Sequence, residues 1–444
     1  MKKLAGIPDK RILECSGQIL HLIQLNVAKL FSMVGNDKAI PVIMGFFLEG
    51  DVPQRQWCIE ALGGIQTDGA LDALIDVLKK PEFQIPLDLL SKQLIASKSR
   101  KLVEKLMLSA SHPAEPVRVA VAVVLGETRD PRAIRTLSGL VKDTSDKVRT
   151  SSIEAIGKIG TTAAVQPAIE ALKDSMEIVR AKAAQVLGEL RDTAAVEFIE
   201  KTTHDSSEMV RRLSVHALEN MADARVPNIL ISSIADKAEL VRGTAVEVLG
   251  NRKDRVAIPN LIKALEDSSE SVREKAASAL GMIGDTKAII PLLERLDDPS
   301  PIVPLACSEA IVSFRSRAFP ILIEALKHTE ERIRRHSTDL LIRIGDQNLV
   351  SKLLKVATDR NNFLRENVSR ILGRIGDGTV VDPIIKMLQD RASTVRKAAA
   401  TSLGMLRDIR ALVALKKAER DQSREVRQAA SAALQEIFKA HKLA

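Results

Sequence analysis

The sequence predicts an all-α fold, a right-handed α-solenoid in which about 13 short helical hairpins stack along the chain. Three observations predict it. An apolar residue followed by Arg recurs every 31 residues, as Val117-Arg118, Val148-Arg149, Val179-Arg180, Val210-Arg211, Val241-Arg242 and Val272-Arg273. Of the 444 residues 45% are hydrophobic but only 2% aromatic, with nine Phe, one Trp and no Tyr. A core of Ala, Leu, Ile and Val suits closely stacked regular helices, whereas the irregular cores and pockets of enzymes are filled with large rings. Finally, a Gly stands eight residues after the Arg in many copies, at Gly126, Gly157, Gly188, Gly250, Gly281, Gly373 and Gly404.

Each unit reads as two helices. In the stretch from Asp285 to Ser300 a Pro near the start introduces about two and a half helical turns that end in Asp. The second helix follows the template V-R-x-x-A-x-x-A-L-G, with apolar residues at offsets 0, 4, 7 and 8 from the Val. At about 100° per residue these fall in one arc and leave offsets 2 and 6 opposite. A lone hairpin cannot bury that stripe, so neighbours must stack, with their second helices lining one continuous face. The recurring LG-x-IGD is expected as the turn between helices, where Gly relieves a crowded or left-handed position and Asp caps the next helix.

The chain divides by its departures from this template. Residues 1–34 are expected to form a capping helix, whose apolar face includes Ile12, Ile19, Ile23, Val27 and Leu30. Residues 35–116 hold divergent repeats, from QRQWCIEALGG at Gln54 to a faint copy around Ile85-Pro86-Leu87. Residues 117–298 are regular. From 299 to 444 repeats resume after a proline-rich break: the phase runs to Val303-Pro304, slips by one, and continues as Ile333-Arg334, Leu364-Arg365, Val395-Arg396 and Val426-Arg427 to a C-terminal cap. Prolines at 299, 301 and 304, and earlier at 81, 86, 113 and 116, remove helix donors, so the helices there should start late or kink.

With VR opening the second helix and ALG-IGD closing it, the pattern resembles the HEAT-like repeats of the phycobilin-lyase type over roughly residues 35 to 440. The resemblance implies a stacked α/α solenoid of the armadillo-like kind. It leaves function open, because that repeat type occurs in lyases, hydroxylases and plain scaffolds.

The residues then decide between chemistries. The recurring Arg is matched by an Asp six residues earlier, at Asp143, Asp174, Asp205, Asp236, Asp267, Asp390 and Asp421. A regular Arg with a regular Asp predicts an internal ladder joining neighbouring repeats, not a phosphate site. Net charge is +9, yet the positions at offsets 2 and 6 carry four basic and seven acidic residues, the wrong sign for a phosphate backbone. Residues 313–375 are locally basic, with 13 Lys plus Arg against 7 Asp plus Glu, and read as a solvated flank. The seven histidines form no HxxxH, and none precedes Glu, so the His-Glu pairs that hold iron in the HEAT-like deoxyhypusine hydroxylases are missing. No GxSxG elbow, paired Cys-His signature or phosphate loop occurs. Cys15, Cys58 and Cys307 lie far apart, which suggests a reducing, cytoplasmic setting, and no apolar run is long enough to span a membrane.

These features favour a non-enzymatic scaffold or adaptor that binds a protein partner on its concave face, without metal or cofactor. The candidate binding residues are Trp57, Arg212, His216, Glu247, Glu274, Glu309 and Asp339. Trp57 is the sole Trp, in a region that also holds Phe31, Phe46, Phe47 and Phe83; these rings either pack the irregular end or anchor an interface. Two alternatives stand beside the scaffold. By resemblance alone, the chain is a bilin lyase or lyase-like accessory protein for phycobiliproteins, and a HEAT-like nucleic-acid-binding protein is the third reading, which the acidic columns disfavour.

Overall fold

A computed structural model describes residues 37–97, 99–345 and 347–442. Among them the structure is all-helical, an α-solenoid of stacked hairpins, and the chain forms two compact units that meet between Val226 and Pro227. The expected capping helix over residues 1–34 lies outside the described residues.

Within a unit each hairpin begins with a 3-10 turn that runs into a seven-residue α-helix, as Pro131–Ala133 into Ile134–Leu140 or Arg255–Ala257 into Ile258–Ala264. Asp130, Asp192, Asp285 and Asp408 start these turns, each carboxylate accepting from the backbone N–H two residues on. This is the capping role expected of the Asp in IGD. The second helix is longer, with 14 residues in Glu115–Thr128, Asp146–Ile159, Glu177–Leu190, Glu239–Arg252 and Glu270–Ile283. Its stripe, for example Val241, Ala245, Val248 and Leu249, is at most 1% exposed. Ile302–Ser313, after the prolines, has only 12 residues and opens one residue before Val303, where its neighbours open two before. That is the late start expected when Pro299, Pro301 and Pro304 remove donors, whereas Pro116, where the same was expected, sits in the first turn of Glu115–Thr128, which opens on time because first-turn donors have no helical acceptor.

The glycines correct one expectation. The Gly of LG is not in the turn: Gly126, Gly188 and Gly250 lie inside the second helix. A Cβ on Gly126 would come within 2.6 Å of Ala155 Cα, one on Gly188 within 2.7 Å of Ala217 Cα, and one on Gly250 within 2.7 Å of Ala279 Cβ. The glycine therefore lets the second helix of one hairpin press on that of the next at a distance no side chain permits. The second Gly does cap the helix, with φ of +70° at Gly160 and +71° at Gly284, while Arg129, Arg191, Lys253 and Arg407 hold the same left-handed position in other copies.

Candidate functional site

The Arg of most second helices builds a ladder. Arg118 Nε and Nη2 donate to Asp143 Oδ2 and Oδ1 at 2.7 and 2.8 Å, and Arg149 does the same to Asp174, Arg180 to Asp205, Arg242 to Asp267, Arg273 to Asp298, Arg365 to Asp390 and Arg396 to Asp421. The remaining Nη1 donates to carbonyls in its own hairpin, as Arg149 to Asp143 and Thr144. Except at Asp298, where Pro304 stands in place of the Arg, each Asp thus receives a guanidinium on its carboxylate from the preceding hairpin and one on its carbonyl from its own. These side chains are mostly buried; Arg273 is 12% exposed and Asp298 3%. The guanidinium hydrogen bond, first, and the Ser300 N–H hold the Asp298 carboxyl below the usual carboxylate range against the opposing effect of burial. The ladder expected from the Asp–Arg spacing is present, and it commits these arginines to geometry.

With the Arg fixed inward, the offset-6 position points out. Glu60, Glu154, Gln185, His216, Glu247, Glu309, Asp339, Arg370 and Thr401 are all exposed. Offset 2 departs from expectation: Ala181 and Gly243 are buried, and Thr150, Glu274 and Glu366 are half-buried. Lys275 explains Gly243, because its side chain passes over that backbone and its Nζ reaches Glu247 at 2.7 Å.

In the first unit Arg212 and His216 lie one turn apart on Glu208–Ala217, both exposed, with His216 Nε2 at 3.7 Å from Glu219. Trp57 sits several hairpins away on Val52–Ile65 and is half-buried. Of the rings near it, Phe47 is buried with Phe83 edge-on at 5.2 Å, and Arg55 stacks on Phe83 at 4.3 Å, so these two pack the irregular end. In the second unit Glu247 and Glu274 occupy adjacent, tightly packed second helices, Glu309 follows on Ile302–Ser313, and Asp339 on Glu331–Ile344. Lys275, which sequence reasoning did not single out, joins the first two by its bond to Glu247.

The basic stretch 313–375 is partly compensated: Arg332 pairs with Glu330 at 2.5 Å, Arg370 with Glu366 at 2.6 Å, and His336 Nε2 lies 2.9 Å from Asp297 Oδ1. Burial pushes the Cys58 and Cys307 thiols up to about 12, which keeps both protonated and poor as nucleophiles at neutral pH. Among the described residues no His, Cys, Asp and Glu converge in a metal-holding group, and no helix is long and apolar enough to cross a membrane.

The family comparison agrees with this architecture. The model of HEAT repeats matches residues 103–176, 165–242, 229–311, 291–370 and 350–435, and that of the PBS lyase HEAT-like repeat matches residues 54–80. No curated protein matches the chain. Similar solved structures include human deoxyhypusine hydroxylase in complex with glycerol, 22% identical over 57% of this chain and 98% of that one with a TM-score of 0.26. Importin beta is 13% identical over 94% of this chain and 65% of its own, TM-score 0.44. An engineered protein is 17% identical over 85% and 98%, TM-score 0.35.

Proposed function

The chain belongs to the HEAT-repeat family, and on that premise we propose that it is a non-enzymatic cytoplasmic scaffold or adaptor that holds a protein partner against the exposed face of its second helices. One observation carries the reading: in most second helices the rung Arg and the contact Gly recur, while the outward offset-6 residue changes from Glu to Gln, His, Asp, Arg and Thr. A constant frame with one variable exposed column is what a custom protein interface requires. The contact residues are Trp57, Arg212 and His216 in the first unit and Glu247, Glu274, Glu309 and Asp339 in the second. The exposed Glu247 and Glu309 suit a basic segment of the partner.

Changing Glu247→Lys, Glu274→Lys and Glu309→Lys together is expected to weaken partner capture about tenfold or more, with helicity unaltered and melting little changed, since none of the three is a rung and the one ion pair lost, Lys275–Glu247, is largely exposed. Capture from lysate, quantified by mass spectrometry for the wild type and the triple variant, checks this. Equal capture would remove the acidic column from the interface.

A further inference from the structure

The regular packing fails at one place in the second unit. The column of contact glycines is interrupted by Val312 and Ile342, and Glu331–Ile344 approaches its neighbours Ile302–Ser313 and Asn362–Ile375 far less closely than the regular second helices of this unit approach theirs. A β-branched side chain where a Gly belongs holds the helices apart. The ladder breaks there too. Pro304 replaces one Arg, and Arg334 has Asp359 in register but makes no ion pair among the described residues. Its guanidinium keeps the usual bonds to the carbonyls six and five residues earlier, those of His328 and Thr329, and lies 4.1 Å over the Phe363 ring. Asp359 is left to Lys327, at 3.6 Å.

The gap is a groove of about 560 Å³ between Glu331–Ile344, Asn362–Ile375 and Ser393–Leu406. Ile342, Phe363 and Met405 supply apolar surface, and Thr338 and Asn367 line it as buried polar groups that bond each other at 3.3 Å. Arg334, Arg335 and Arg374 line it as cations without a close carboxylate: Arg335 has only Asp297 at 3.8 Å, and Arg374 is exposed with no ion pair among the described residues.

We infer that this groove binds an acidic peptide segment carrying an apolar side chain, its carboxylates meeting Arg334, Arg335 and Arg374 and its apolar group meeting Ile342, Phe363 and Met405. The inference rests on the scaffold reading and names the partner chemistry at one further place. A guanidinium that lacks its ladder carboxylate, Arg334, and two exposed ones, Arg335 and Arg374, favour carboxylates through bidentate bonds. A nucleic acid fits less well, because the groove offers a single ring, Phe363, for base stacking.

The test uses the full chain and three labelled peptides followed by fluorescence anisotropy: Glu residues interrupted by Phe, the same with Lys for Glu, and the same with Ala for Phe. The Glu-Phe peptide is expected to bind about tenfold more tightly than either counterpart, and Arg335→Glu with Arg374→Glu to weaken it about tenfold without altering melting, both positions being exposed. Equal binding of acidic and basic peptides, no binding of the Glu-Phe peptide, or indifference to the double reversal would overturn the proposal. An oligonucleotide that binds more tightly than the Glu-Phe peptide and is lost in the same variant would overturn it in favour of nucleic acid. The Glu247→Lys, Glu274→Lys, Glu309→Lys variant should bind the Glu-Phe peptide normally. Loss of partner capture in that variant, with no peptide effect of the groove reversal, would sink the groove alone; the converse would sink the acidic column alone.

Discussion

Arg273→Ala is expected to destabilise its part of the second unit by about 2 to 4 kcal/mol. The variant loses two bonds to the Asp298 carboxylate at 2.8 Å and those to the Asp267 and Ser268 carbonyls at 2.8 and 3.3 Å. It also leaves Asp298, 3% exposed, with a buried charge and only the Ser300 N–H at 3.0 Å. The cost comes mostly from that stranded carboxylate, which predicts the pH dependence. The folded-state pKa of Asp298 lies below its unfolded value, so the stabilisation it contributes is complete above the unfolded value and is lost as pH falls through the folded one. Wild type and variant should therefore differ fully at neutral pH and converge in acid. Urea unfolding at neutral pH and below pH 4, with hydrogen exchange across residues 270–313 to locate the loss, checks both statements. A variant as stable as the wild type at neutral pH would show that the rungs merely decorate an apolar stack.

Gly250→Leu is expected to cost about 3 kcal/mol or more. The new Cβ would sit 2.7 Å from Ala279 Cβ and 2.8 Å from Ala279 Cα, so backbone on the adjacent second helix must move. Helix propensity favours Leu over Gly by about 0.8 kcal/mol, which is too little to offset the clash. The sign should reverse at Gly45, which lies within Ile40–Glu49 with nothing within 4 Å of a built Cβ. There Gly45→Ala is expected to stabilise by about 0.5 to 1 kcal/mol. Melting curves of the two variants check the pair, and destabilisation by both would mean that contact is the wrong way to separate these glycines.

The contrast between these glycines shows where the sequence was legible. The Val-Arg step and the Asp six residues before it sufficed to predict both the hairpin and the ladder, because a partly buried guanidinium recurring in register needs a carboxylate recurring in register. The contact Gly was misread as part of a turn. Helix propensity penalises an interior Gly, and its compensation, Ala155 for Gly126 or Ala279 for Gly250, stands 29 residues away in sequence. The offset-2 column failed for a related reason: Gly243 is covered by Lys275 from the next hairpin, and periodicity within one helix carries no information about a neighbour's long side chain. Offset 6 succeeded at all but Val123 and Ser278, which are half-buried, because it lies opposite the buried arc. The groove left a sequence signal, Val312 and Ile342 where Gly recurs elsewhere, but it acquires meaning only once that Gly is known to set the spacing between helices.

The central claim, that second helices present their outward column to a protein partner, is tested most directly by hydrogen exchange of the full chain with and without a captured partner bound. The account predicts protection concentrated in second helices of the second unit, Glu239–Arg252, Glu270–Ile283 and Ile302–Ser313, and abolished by the triple charge reversal. Protection confined to the first helices Ile258–Ala264, Ile289–Glu294 and Phe319–Ala325 would contradict it.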